Sequence, residues 1–214
     1  MLNSNPLTHA RGFSIVAVIG ALIIVSLLMV AALHIARDQR RRATLYADHA
    51  LAMREAEAAL AAAECELALA TNTPTNHACG APPPAARIAA LDPITLAGFV
   101  PGSCGTDEST RGLCWPKPSQ TVQDLAHFEP DQNNNRKAKA AELDTFTTAD
   151  TRDKPAHRAR YVIEPIPDTQ PGLWTHAGAE RTPPLFRITA IGFGNDEDVN
   201  VMLQSVYRAR AVAP

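Results

Sequence analysis

The sequence predicts an α+β protein: one long N-terminal helix packed on a small antiparallel β-sheet, with extensive proline-rich loops. Three observations predict it. Of 17 prolines only Pro6 precedes Pro74, and of 11 glycines only Gly12 and Gly20 do. The first third can therefore form one uninterrupted helix, and the rest cannot. Residues Gly12 to Ala36 contain no Asp, Glu, Lys or Arg. Near the C-terminus, two stretches of alternating apolar residues flank a turn-forming one.

The charge-free run comes first. A hydrocarbon core is about 30 Å thick and takes about 20 apolar residues in a helix, which Phe13 to Ile35 supplies. A secretory signal has a shorter apolar core, about 7–15 residues, ending at a small-residue cleavage site. Here the run is longer and passes without a breaker into "HIARDQRRRATLYADHALAMREAEAALAAAECELALA". On these residues alone a plain uncleaved anchor fits too. If Phe13 to Ala70 is one helix, it is about 85 Å long at about 1.5 Å per residue, far more than a membrane needs.

Beyond the membrane length the helix is amphipathic. Met53, Ala56, Leu60, Ala63 and Leu67 follow alternating steps of three and four, the spacing of a packing seam. Glu55, Glu57, Glu64 and Glu66 are expected mostly to face away. The small residues suit a helix packed closely on its own globular domain, although a solvated alanine-rich spacer would read similarly.

From Pro74 the chain is rich in proline and poor in pattern until Arg160. A short helix is expected at Arg136 to Leu143. Tyr161 to Glu164 reads as a short strand ended by Pro165 and Pro167. Leu185 to Gly192 alternates around Phe186, Ile188 and Ala190, and Val199 to Tyr207 places Val199, Val201, Leu203, Ser205 and Tyr207 on one face. "FGNDEDVN" between them suits a turn, making an antiparallel hairpin. The expected organisation is a leader at 1–12, a membrane-spanning half-helix at 13–35, an amphipathic half at 36–73, a loop-rich region with disulfides at 74–158 and the sheet at 159–214.

Composition excludes some functions. The net charge is -2 and the pI about 6.4, so no field draws nucleic acid to this chain. It contains no G-x-S-x-G, no H-E-x-x-H and no glycine-rich phosphate loop, and its histidines are scattered, so no enzyme activity and no cofactor are expected. Four cysteines, Cys65, Cys79, Cys104 and Cys114, are an even set suggesting two disulfides on the exported side. Three pairings are open. Cys65–Cys79 with Cys104–Cys114 fits best, because each closes a short loop beside a proline-rich turn. A metal set of Cys65, His77 and Cys79 lacks the C-x-x-C spacing of a zinc site. "DQNNNRKAKAAE" places Asp131, Asn133, Asn135 and Glu142 at positions 1, 3, 5 and 12 of a calcium-loop template, but Arg136 stands where glycine makes the turn. A polar turn followed by a helix explains these residues equally well.

The quoted stretches also resemble a family. A polar leader ending in Gly12, then Phe13, then an apolar helix that becomes amphipathic is similar to the class III signal of type IV pilins and type II secretion pseudopilins. Ala17 stands where most pilins carry glutamate, at the fifth position after the junction. With "YADHALAMREAEAALAAAE" (Tyr46 to Glu64) and with "ARYVIEPI", "LFRITAIGFG" and "VMLQSVYR", this resembles the PilX group of minor pilins.

The resemblance implies that prepilin peptidase cuts after Gly12 and methylates Phe13, and that the apolar helix becomes filament core. It implies a structural and assembly role at a tip or priming complex. The implied partners are other minor pilins, the major pilin, the inner-membrane assembly platform and a large tip adhesin. The implied location is the inner membrane, single-pass with a periplasmic C-terminal domain, and then the pilus tip. A tip pseudopilin of type II secretion is the close alternative; a membrane-anchored exported enzyme is one of a different class. Charge works against this orientation. Cytoplasmic flanks usually carry the positive charge, yet Arg11 faces Arg37, Arg40, Arg41 and Arg42 on the far side.

Overall fold

The computed structural model describes residues 13–74, 79–122, 126, 128, 139–143, 155–167 and 184–209. Helix α1 runs from Phe13 to Ala70 without interruption, as a stretch lacking proline allows. It ends in a Schellman motif. Asn72 takes the left-handed conformation at φ 48°, its amide donates to Leu69 O at 3.3 Å, and the Thr73 amide donates to Ala68 O at 2.8 Å. Asparagine tolerates that backbone better than most residues. Contacts divide the chain into two compact units, Met1–Tyr46 and Ala47–Pro214.

In the second unit the remaining elements are α2 (Ala85–Ala90), β1 (Ser103–Cys104), β2 (Cys114–Trp115), β3 (Ala141–Glu142), β4 (Arg160–Ile166), β5 (Leu185–Phe193) and β6 (Asn200–Arg208). Strands β1 and β2 pair with each other, and the others form an antiparallel sheet in the order β3-β4-β5-β6. The register sets the faces. Tyr161 and Ile163 of β4 and Phe186, Ile188 and Ala190 of β5 join Ala59, Ala63 and Leu67 of α1 in one buried cluster. Val162, Ile191 and Phe193 point the other way, into a second cluster with Cys104, Cys114, Val122 and Phe128. From Ile188 onward β5 is thus buried on both faces, whereas β6 alternates between half-buried and exposed. The hairpin read from the sequence is present, one residue longer in β5 and shifted by one in β6.

Helix and sheet approach backbone to backbone at Gly192. A Cβ at Gly192 would overlap the backbone of Ala52 and Ala56, so glycine on the strand and alanine on the helix permit the approach.

Four expectations are corrected. Ala141–Glu142 is a strand rather than the end of a helix. Ala141 and Leu143 are buried and Glu142 is half-exposed, a period of two that β4 satisfies by pairing. Pro165 lies inside β4, opposite Phe186. This is tolerated because β3 pairs only with Arg160 and Tyr161, leaving the other side of β4 at Pro165 without a strand among the described residues. The helix seam is rotated: Ala52, Ala56, Ala59, Ala63 and Leu67 are fully buried, while Met53 and Leu60 lie at its margin. Finally, Glu55 and Glu66 are buried rather than facing away.

Candidate functional site: an unburied apolar helix and a pinned sheet

The first unit presents large apolar side chains that are exposed among the described residues. Ile15, Leu22, Leu27, Leu33 and Ile35 are each more than half exposed. The helix is long and apolar enough to cross a membrane. Its one internal hydroxyl at mid-span, Ser26, is satisfied within the helix by donating to Leu22 O at 2.7 Å, so it adds little to the cost of an apolar surrounding. Ala17 is exposed on this helix. Phe13 is its first residue, and Gly12, with the rest of the 1–12 leader, lies outside the described residues.

In the second unit, carboxylates on α1 pin the surrounding chain. Asp48 accepts from the Asn195 amide and from the Asp196 amide at 3.1 Å, closing the β5–β6 turn. These amide donors, that of Asn195 first, hold its carboxyl below the usual aspartate range. Glu64 accepts from Ser205 Oγ at 2.9 Å on β6. Glu66 is fully buried and takes both Nε and Nη2 of Arg87, at 3.1 and 3.0 Å. Tyr161 donates its hydroxyl to the other Glu66 oxygen at 2.6 Å.

Arg87 itself has no exposed surface. Its Nη1 donates to Ser109 O and Arg111 O at 3.1 and 2.7 Å. One buried group thus joins α1, α2, the β1–β2 loop and β4. Burial pushes the Glu66 carboxyl up, against the pull of the Arg87 guanidinium, and pushes the Tyr161 phenol well up. A buried pair of this kind is strongly destabilising to break and weakly stabilising as a whole.

The cysteines are joined as Cys65–Cys79 and Cys104–Cys114. The first ties the end of α1 to the segment leading into α2, one residue from Glu66. The second links directly opposed residues of β1 and β2. Closing a loop of about 15 residues contributes around 3 kcal/mol in the chain-entropy account. His77 lies outside the described residues, as do Asp131, Asn133 and Asn135. Glu142 stands in β3, with its Oε1 held by Arg160 at 3.2 Å, and the helix that the calcium template would lead into is replaced there by strand. Among the described residues, no group of three or more His, Cys, Asp or Glu is placed to hold a metal ion.

Sequence reading missed Arg87, Tyr161, Asp48 and the burial of Glu66. The available signal was position. Glu66 follows Ala59 and Ala63 by seven and three residues, which puts it on the apolar face, and a carboxylate on such a face calls for a buried cation. Arg87 is the one charged residue in "AARIAA".

A search of the curated proteins and one of the solved structures give no match. The family model described as type IV pilus assembly protein PilX, C-terminal part, matches residues 65–209, from the first cysteine through the last strand. That match spans well over half of the chain and contains both disulfides, the Glu66–Arg87–Tyr161 group and the whole sheet; this protein belongs to the PilX family of type IV pilus assembly proteins.

Proposed function

We propose that this chain is a minor pilin that acts in the initiation of type IV pili, at a tip or priming complex. Ala17 carries the reading. In pilins with glutamate at this place, the carboxylate is thought to neutralise the amino terminus of the neighbouring subunit during assembly. A carboxylate in an apolar surrounding is costly unless paired. A subunit that sits first has no subunit ahead of it to pair with, and alanine suits that position. Membership of a pilus assembly family supports the same reading. The partners would be other minor pilins, the major pilin, the assembly platform and a large tip adhesin. The precursor would be cut by prepilin peptidase between Gly12 and Phe13. It would rest in the inner membrane, with the sheet on the periplasmic side, before entering the pilus.

The test is deletion combined with immunogold microscopy. Filament number should fall while the remaining filaments keep normal diameter, and label should gather at tips. Ala17→Glu should bring no gain in assembly. Even labelling along the shaft, with filament number unchanged on deletion, would overturn the initiator role.

A further inference from the structure

Arg37, Arg40 and Arg41 follow the charge-free run directly, and nothing in the pilus reading uses them. Residues 1–47 hold five arginines, one aspartate and no other charged side chain. That aspartate, Asp38, is taken by Arg42 at 2.9 Å one turn on. Arg37, Arg40 and Arg41 are exposed, and their spacing of i, i+3 and i+4 places them on one face of α1. Their side chains have no carboxylate partner among the described residues.

We propose that this face binds the phosphates of anionic phospholipid head groups at the C-terminal end of the membrane span; the inference rests on the reading that α1 crosses a membrane. Position supports it. The 24 residues Phe13 to Ala36 cover about 36 Å at about 1.5 Å each, enough for a hydrocarbon core of about 30 Å. The next helical turn then falls at head-group level, where an arginine stem can lie along apolar surface with its guanidinium in the polar layer. Chemistry supports it as well. The planar guanidinium fork matches phosphate oxygens in two-point contact. The same stretch of a second copy is a poor alternative, because residues 1–47 offer only Asp38, which Arg42 already engages. The contact would hold the subunit at a fixed depth, on whichever side of the membrane this end lies.

The test uses the full chain in vesicles of equal parts phosphatidylcholine and phosphatidylglycerol. Intact protein is released into a mass spectrometer and its retained lipids are counted. Flotation of the vesicles after an alkaline wash reports insertion separately. The wild-type chain should retain phosphatidylglycerol over phosphatidylcholine. The Arg37→Gln/Arg40→Gln/Arg41→Gln variant should insert equally well yet lose that preference, by about fivefold per arginine removed. The corresponding triple lysine variant should keep most of it. Equal retention of the two lipids by the wild-type chain, or an unchanged preference in the glutamine variant, overturns the proposal. Unchanged lipid retention together with loss of a cross-link to another pilus subunit overturns it in favour of a protein carboxylate as partner. If the wild-type chain itself does not float, the membrane reading fails and takes the proposal with it.

Discussion

Between Phe13 and Ala36, helix α1 carries no charged residue, and its large side chains from Ile15 onward are exposed. Between Ala47 and Ala70 the same helix buries Asp48, Glu55 and Glu66. The difference follows from what covers each part. The second stretch is covered by its own chain, which brings matched donors: the Asn195 and Asp196 amides to Asp48, and Arg87 and Tyr161 to Glu66. A buried carboxylate is tolerable where its partners are guaranteed. The first stretch has exposed apolar side chains and no such donors among the described residues. Lipid tails that cover it supply only apolar surface, so a charge at mid-span would be unpaired there.

The largest expected effect tests the matched donors. Arg87→Ala should destabilise the globular unit by about 3–5 kcal/mol, because it strands a buried carboxylate. Urea unfolding of the full chain in detergent measures this. Replacing both partners, with Glu66→Leu and Arg87→Met, should recover part of the loss. The recovery is incomplete because the Tyr161 hydroxyl then lacks its acceptor, at about 1–3 kcal/mol. A single variant no worse than the double would mean that the pair is not the pin described here.

The next effect tests the uncovered stretch. Ile24→Lys places a charge near mid-span and should oppose membrane insertion by about 2.5–3.5 kcal/mol. The inserted fraction, read by alkaline extraction, should fall. Glu57→Lys, on the exposed side of the second stretch, should change stability by less than about 0.5 kcal/mol. Equal behaviour of the two variants would erase the contrast.

What was legible in the sequence follows from the same contrast. The apolar run needs no partner to declare itself, so a helix beginning at Phe13 could be read from composition alone. The β5–β6 hairpin was legible because alternation and turn residues are local signals. The Glu66–Arg87–Tyr161 group was not, since its members lie 21 and 95 residues from Glu66 and only the fold brings them together. Strand β3 was misread as helix because Ala141, Glu142 and Leu143 favour helix on propensity alone, and pairing with β4 overrides that preference. Pro165 was read as a strand end because sequence does not reveal that β3 stops short of it. The seam was misplaced because alanines, not the larger Met53 and Leu60, mark the closest approach; it is Gly192 on the facing strand that selects small residues there.

The smallest effect concerns pH and sets the two buried acids against each other. Amide donors, that of Asn195 first, hold the Asp48 carboxyl below the usual aspartate range. A group depressed in the folded state contributes stability above its unfolded pKa and loses it as pH falls through the folded value. Glu66 is raised above 4.5 by burial, so its contribution has the opposite sign: it is present below the unfolded pKa and lost as pH rises through the folded one. On acidification the chain therefore loses the stability that ionised Asp48 contributes, while the cost of burying an ionised Glu66 is relieved. Asp48→Asn keeps an oxygen for one of the two turn amides but cannot titrate. Unfolding midpoints of wild type and variant, measured from about pH 7 down to about pH 2.5, should differ most at neutral pH and converge as Asp48 protonates. A difference that stays constant across the range would show that Asp48 closes the β5–β6 turn as a plain acceptor, its charge contributing nothing.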